Sequence, residues 1–395
     1  MAISFITSAP VFAPVYNPIY YNVISTNVAQ PDFQYVFNLF EGYGTSSNPI
    51  STINLFPRPT SNCLYNPARI LESIVSADQN IQGITAATSS TTMVNYYTID
   101  VGEYYGGNTY TGLSETIGYV FNGVLQYDQI PSWPVNYSNY IMVNSSGSTN
   151  LFLTNQPRSG VLTLLTDTST LSFAGYVPAY MQLKIHNFGS TNAIVHNIPI
   201  TANTGSSYIT HLPSGPANLN NYSIHSTLIT NNTDYYTIAL LDINNGIISE
   251  TITYNMDQSC SKYSNMRIQF LNPYGAWDYV NFRMKSKETV NVTKRTLYKQ
   301  NLPYNYTVGA REQTQIDFDG YTTYTVTSDW VSDDYSKWFK ELMRAQQINI
   351  IESNWSSRPV NIVETSDYVQ TVLNDSLPQY IFNFNTAYSI NAGRS

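Results

Sequence analysis

The clearest alternation of apolar and polar positions runs from Met266 to Met284, MRIQFLNPYGAWDYVNFRM. Met266, Ile268 and Phe270 alternate with Arg267 and Gln269, which predicts a strand with one apolar and one polar face. Asn272-Pro273-Tyr274-Gly275 carries turn chemistry: proline presets φ, and glycine tolerates whatever the fourth position needs. The return arm alternates again, with Val280, Phe282 and Met284 against Asn281, Arg283 and Lys285, after an aromatic start at Trp277 and Tyr279. The stretch therefore predicts a β-hairpin.

Similar short alternations recur along the chain. Phe33, Tyr35, Phe37 and Leu39 predict a central strand, and Met93 to Val101 another, closed by the glycines at 102, 106 and 107. Residues 183–188 and 193–196 predict a hairpin across a four-residue loop, as do 235–241 and 247–254 across Asp242 to Gly246. Asn66 and Pro67 predict the start of a short helix over 67–75. The one long helical period begins after Ser332, where Tyr335, Trp338, Phe339, Leu342 and Met343 recur on one stripe. Asp333 and Asp334 suit the N-terminal dipole there, Ser332 can cap it, and Lys337 and Glu341 are spaced for an ion pair. Strands at 322–327, 348–351, 360–364 and 380–384 flank this helix and predict a sheet for its apolar face.

Short strands with few helices predict a mainly β chain of tandem antiparallel β-sandwich or barrel modules. Three modules are expected: 1–128 with an extended N-terminal arm, 129–258, and 259–395 with a packed helix at 332–346. Prolines at 10, 14 and 18 cannot donate to a ladder, so the first stretch reads as an edge strand or an arm over a neighbour. Its candidate contact residues are Val15, Tyr16, Ile19, Tyr20 and Tyr21. Four of the five tryptophans lie beyond residue 276, which places the best-defined core in the third module, with Trp277 and the helix as its two halves.

Composition sharpens this picture. The chain has 34 tyrosines among 395 residues and only 11% charged residues, against about 25% in ordinary soluble domains. Its polar surface must come from amides and hydroxyls, and tyrosine suits surfaces held against other protein. Residues 1–183 contain nine acids and three arginines, whereas seven basic residues fall between Arg283 and Arg311. Arg283, Lys285, Lys287, Lys294, Arg295 and Lys299, interleaved downstream with Tyr298, Tyr304 and Tyr306, form a candidate basic interaction face. Alternating exposed strand positions would look the same, and the acidic first half of another copy could complement them. A net charge of −8 disfavours nucleic acid as a partner of the whole chain. The N-terminus lacks the basic and apolar runs of a signal peptide, and no stretch reaches the length of a membrane span, so a protein made in a cytoplasm is expected.

Candidate chemistry is sparse. Cys63 and Cys260 have no metal or redox spacing and read as buried thiols. His186, His196, His211 and His225 fall within forty residues, but only the first two could face each other, across the predicted hairpin, and no metal or other cofactor is expected. Asp317 and Asp319, with Asp333 and Asp334, are the carboxylate pairs nearest to glycosidase chemistry, which needs two carboxylates about 5 to 10 Å apart. Asp319-Gly320 reads rather as a turn and Asp333-Asp334 as a helix start. No catalytic residue is assigned.

Several segments together resemble virion structural proteins of tailed bacteriophages, of the tail, ring or baseplate type. They are Pro14 to Ile19, Val101 to Tyr105, Phe152 to Pro157, Phe270 to Asp278, and the block from Ser328-Asp329-Trp330 to Phe384. The resemblance implies β-sandwich modules, a place in the virion after synthesis in a bacterial host, assembly with copies of itself and other virion proteins, and no catalysis. Two rivals stand beside it. Exposed tyrosine and asparagine in loops such as Gly102 to Thr111 would suit recognition of a host-surface glycan, and a polysaccharide depolymerase would need Asp317 or Asp319.

Overall fold

A computed structural model describes residues 3–44, 48–79, 81–90, 92–125, 140–142, 150–175, 178–201, 209–222, 228–259, 262–352, 356–363 and 379–389. The chain is mainly β, its described strands forming five sheets. It divides into two units, Met1–Asp257 with Asn272–Asp278, and Gln258–Leu271 with Tyr279–Ser395. The expected division at 128/129 does not separate two units; residues 126–139 lie outside those described.

The first unit contains two sandwiches. In one, the three-stranded sheet Ile3–Thr7, Tyr21–Ser25 and Asn62–Tyr65 faces a five-stranded sheet led by Gln34–Glu41, Val94–Tyr105 and Asn108–Phe121. Alternation puts Tyr35, Phe37, Leu39, Tyr97, Ile99 and Val101 on the inner face, all fully buried. Phe37 stacks on Tyr65 across the layers, and the Tyr21 and Tyr97 hydroxyls meet at 2.8 Å, so these two buried phenols satisfy each other. In the other sandwich, Thr170–Gly175 and Ile209–Pro213 cover Tyr180–Asn187, Thr233–Leu241 and Ile252–Met256 around Phe173, Leu183, Leu212, Tyr236 and Ile238.

In the second unit one seven-stranded sheet packs on the helix Asp333–Arg344. Trp338, Phe339 and Leu342 meet Phe270, Phe282, Phe382 and Val326, the helix stripe and inner sheet face closing one core. Ser332 precedes the helix without a side-chain cap, its carbonyl accepting from Ser336 N–H instead. Lys337 pairs with Asp334 at 3.1 Å rather than with Glu341, because the i,i+3 acid lies equally within reach of its flexible stem.

The 266–284 hairpin exists as Met266–Leu271 and Trp277–Phe282, but its tip belongs to the first unit. Gly275 N–H bonds Asn272 C=O and Gly275 sits at φ +76°. A Cβ there would lie 1.6 Å from the Asn122 carbonyl, so the turn glycine serves a close backbone approach as well as a left-handed conformation. Trp277 donates its indole N–H to the Asp78 carbonyl and lies outside the helix core, so the expected pairing of Trp277 with the helix is corrected. Trp330 is exposed and Trp355 is outside the described residues, leaving Trp338 as the tryptophan of that core. Arg267 and Gln269, on the strand's expected polar face, are themselves buried: Arg267 lies over the Tyr279 ring and bonds Asn281.

Asp319-Gly320 is not a turn but the middle of the strand Gln313–Thr327. Glycine is required because the Asn291 carbonyl comes within 2.6 Å of where a Cβ would stand. The strand Val94–Tyr105 likewise continues through Gly102, with a register shift between Val101 and Glu103.

Candidate functional site

Residues associated with nucleophilic catalysis meet at one place, inside the first unit. Ser172 and His211 are directly opposed on the antiparallel strands Thr170–Gly175 and Ile209–Pro213. Ser172 Oγ lies 2.7 Å from His211 Nδ1, and His211 Nε2 lies 2.8 Å from Asp78 Oδ2. Asp78 is held in turn by the Thr92 N–H and hydroxyl. Burial pushes the Asp78 carboxyl upward, but hydrogen bonds from His211, Ser90 and Thr92 and the charge of His211 outweigh it, holding it at about 2.

The geometry is that of a fastener. Ser172 is 2% exposed and His211 1%, so no substrate carbonyl can reach the hydroxyl. What the cluster does is tie the 76–92 segment to two strands of the second sandwich with every buried polar group satisfied. Nothing in the sequence pointed to it, since Asp78 and His211 are separated by 133 positions and only strand register brings them together. The expected facing of His186 and His196 does not occur. His196 opposes Leu183, while His186 opposes Tyr235 and stacks on its ring at 4.2 Å. His225 lies outside the described residues, among which no group of three or more His, Cys, Asp or Glu could hold a metal.

The same economy recurs elsewhere in this unit. Asp100 accepts from the Asn38 amide and Gly112 N–H, Glu103 from Ser25 and Asn27, and Asp167 from Leu164 N–H. Neutral donors replace cations, as a charge-poor composition requires. Four of the nine acids in residues 1–183 (Asp78, Asp100, Glu103 and Asp167) are thereby buried, so the acidic surface expected to complement a basic face is much reduced. Cys63 is also buried, which pushes its thiol up to about 11; Cys260 lies outside the described residues.

The N-terminal candidates are mostly core. Val15, Ile19 and Tyr21 are at most 1% exposed within the first sandwich; Tyr20 is half-buried and Tyr16 exposed. Phe12–Pro14 is an edge strand, pairing in parallel with Tyr119–Phe121, and Val15 N–H bonds Phe121 C=O. Alternating apolar side chains reach the core of their own unit, so an arm draped over a neighbour is corrected to an edge strand with its following turn.

The basic candidates lie along one sheet edge of the second unit. Lys287, Lys294, Arg295 and Lys299 belong to the strand Lys287–Lys299, and Arg283 and Lys285 precede it. Arg283 is half-buried and bonds Ser259; Lys285, Lys287 and Lys299 are exposed, Lys299 pairing with Glu312 at 3.4 Å. The side chains of Lys294, Arg295 and Asp317 lie outside the described ones. Sequence reasoning passed over the apolar residues on this edge. Val290 is 58% and Val292 48% exposed, and the 300–312 connection presents Tyr304, Tyr306 and Val308 to solvent. The strand pairs with Gln313–Thr327 along its length, whereas Ile381–Thr386 reaches only Thr323 to Thr327. Residues 290–299 and 313–322 therefore form a two-stranded ribbon running past the rest of the sheet.

No protein-family model matches the sequence, and no curated protein does. Among solved structures, similarity extends to trypsin-activated α-2-macroglobulin from Escherichia coli (TM-score 0.19, 8% identity, 82% of this chain and 19% of that one). Salmonella α-2-macroglobulin reacted with methylamine gives a TM-score of 0.20 at 8% identity, over 82% of this chain and 25% of that one. The chain thus spans about a quarter or less of the length of the macroglobulins it aligns with, and TM-scores this low do not establish a common fold.

Proposed function

We propose that the chain is a structural component of a tailed-phage virion, in the tail, neck or baseplate, whose work is assembly with copies of itself and other virion proteins. The observation that carries the assembly reading is the ribbon of residues 290–299 and 313–322 with its exposed connection. A monomer gains nothing from valines and tyrosines displayed on a strand edge, whereas covering a valine contributes about 1.5 kcal/mol. The tyrosine-rich, charge-poor composition suits the same role. The virion setting is supported by the segments that resemble phage tail and baseplate proteins. The test is proteomics of purified particles together with sedimentation of the full-length protein. A chain present in particles and self-associating in solution is expected; absence from particles and a monomer at every concentration would overturn the proposal.

A second reading has its own observation. Tyr43 packs on Tyr96 at 4.1 Å and bonds Tyr119 through its hydroxyl, while Tyr105 stacks on Tyr110 at 4.7 Å near the tip of the Val94–Tyr105 and Asn108–Phe121 hairpin. Half-exposed phenol platforms of this kind bind sugar faces. Glycan-array signal lost in Tyr43→Ala and Tyr110→Ala would favour recognition over assembly.

A further inference from the structure

We infer that the edge strand Lys287–Lys299 pairs antiparallel with the same strand of a second copy of this chain, about a two-fold axis through Asn291. The inference rests on the assembly role and adds its partner and register. The seven-stranded sheet ends at this strand, so its outer backbone groups face no other strand among the described residues. An edge of this kind is a template for another strand.

The sequence Lys287-Glu288-Thr289-Val290-Asn291-Val292-Thr293-Lys294 is close to a palindrome about Asn291. In a two-fold pair every opposition occurs twice, so a self-pairing strand must complement itself. Centred on Asn291, Val290 meets Val292, Thr289 meets Thr293, and Glu288 stands level with position 294, a lysine in the sequence. Even positions meet even ones, so the backbone groups pointing outward from one copy meet those pointing outward from the other. The next opposition would set Lys287 against position 295, an arginine, and like charges bound the complementary stretch at both ends. Moving the centre to position 290 or 292 sets one valine against its own copy but the other against Glu288 or position 294, which breaks both the second valine pair and the match of glutamate with lysine.

Both faces of the sheet support this register. Glu288 is directly opposed to Tyr324 on the neighbouring strand and accepts from its hydroxyl, so Glu288, Val290 and Val292 share the face of the buried Tyr324 and Val326. That apolar face runs out past the helix core as two exposed valines, which a second copy would extend to four. On the opposite face, Asn291 Nδ2 donates to Thr323 Oγ1 at 2.8 Å, and Thr323 Oγ1 donates to Asn385 Oδ1 at 2.7 Å. This polar ladder stops at Asn291, where the axis would place the same residue of the second copy and continue it.

The register is testable in the full-length chain. Directly opposed residues on antiparallel strands have Cα atoms about 4.5 to 5.5 Å apart, within disulfide reach. Asn291→Cys should therefore give an intermolecular disulfide at twice the chain mass on mild oxidation, above the background of the wild type with its two native cysteines. Thr289→Cys, which would face Thr293, should not. Glu288→Lys should weaken self-association by about tenfold, and adding Lys294→Glu should restore it, because the exchanged charges still face each other across the axis. Equal crosslinking of Thr289→Cys overturns the register. Presence in purified particles without an Asn291→Cys crosslink, there or in solution, overturns the pairing and leaves the assembly role standing. Absence from particles with a monomeric wild type overturns both.

Discussion

The strand Phe12–Pro14 with the turn that follows it and the strand Lys287–Lys299 both include sheet edges, and the sequence marks both stretches as contact surfaces, yet the fold treats them oppositely. Phe12, Val15, Ile19 and Tyr21 turn into the sandwich of their own unit and are sealed there. Val290 and Val292 alternate just as regularly, but the face they lie on has outrun the helix that covers it. Edge position alone therefore does not make an interface. What distinguishes the two is whether a second layer exists to receive the apolar face, and that is settled by topology.

The largest expected effect comes from the sealed edge. Deleting residues 1–21 removes the strand Ile3–Thr7 and six buried apolar residues, Ile3, Phe12, Ala13, Val15, Ile19 and Tyr21, the larger side chains each worth about 1.5 to 3 kcal/mol. Their sum rivals the whole stability of a domain. The truncated chain should fail to give a cooperative thermal transition for the first unit; a truncation that melts like wild type would put residues 11–21 back among the detachable arms.

Next in size is the Asp78 cluster. Asp78→Ala strands the donors of His211 and Thr92 in the interior and should cost about 3 kcal/mol in urea unfolding. Ser172→Ala removes one bond to His211 and should cost about 1 to 2 kcal/mol. A loss below about 0.5 kcal/mol for both would show that the cluster does not fasten the sheets.

Acid should expose the same fastener. The Asp78 carboxyl lies near 2 in the folded chain against an ordinary 3.8. A depressed carboxylate stabilises the fold above its unfolded value and loses that contribution as pH falls through its folded value. Up to about 2 kcal/mol should therefore be present above about pH 4 and be lost toward about pH 2. Asp78→Asn should flatten that part of the stability curve, and an unchanged slope would contradict the assignment. At the small end, Val290→Thr and Val292→Thr should change unfolding of the isolated protein by less than about 0.5 kcal/mol, since neither side chain is buried.

Much of the fold was legible in the sequence and little of the site was. The strand Gln34–Glu41, the helix Asp333–Arg344 and the hairpin turn at Gly275 follow from period, dipole and turn chemistry, all local signals. Asp319-Gly320 misled because a glycine demanded by the Asn291 carbonyl of a neighbouring strand looks like a turn glycine. Trp277 misled because its partner, the Asp78 carbonyl, is 199 positions away. Exposure of Val290 and Val292 was hidden for a related reason: an alternating strand reads the same whether or not a second layer covers it. The charge pattern misled as well, since sequence counts acids without saying that Asp100 and Glu103 are buried among neutral donors.

Whether the ribbon edge of the second unit is where this chain meets other protein can be read from sedimentation of the full-length protein beside the double variant Val290→Lys, Val292→Lys. A concentration-dependent oligomer is expected for the wild type and a monomer for the variant, with the same unfolding midpoint as the wild type at dilutions where the wild type is itself monomeric. A variant that associates as strongly as the wild type would contradict that role for the edge.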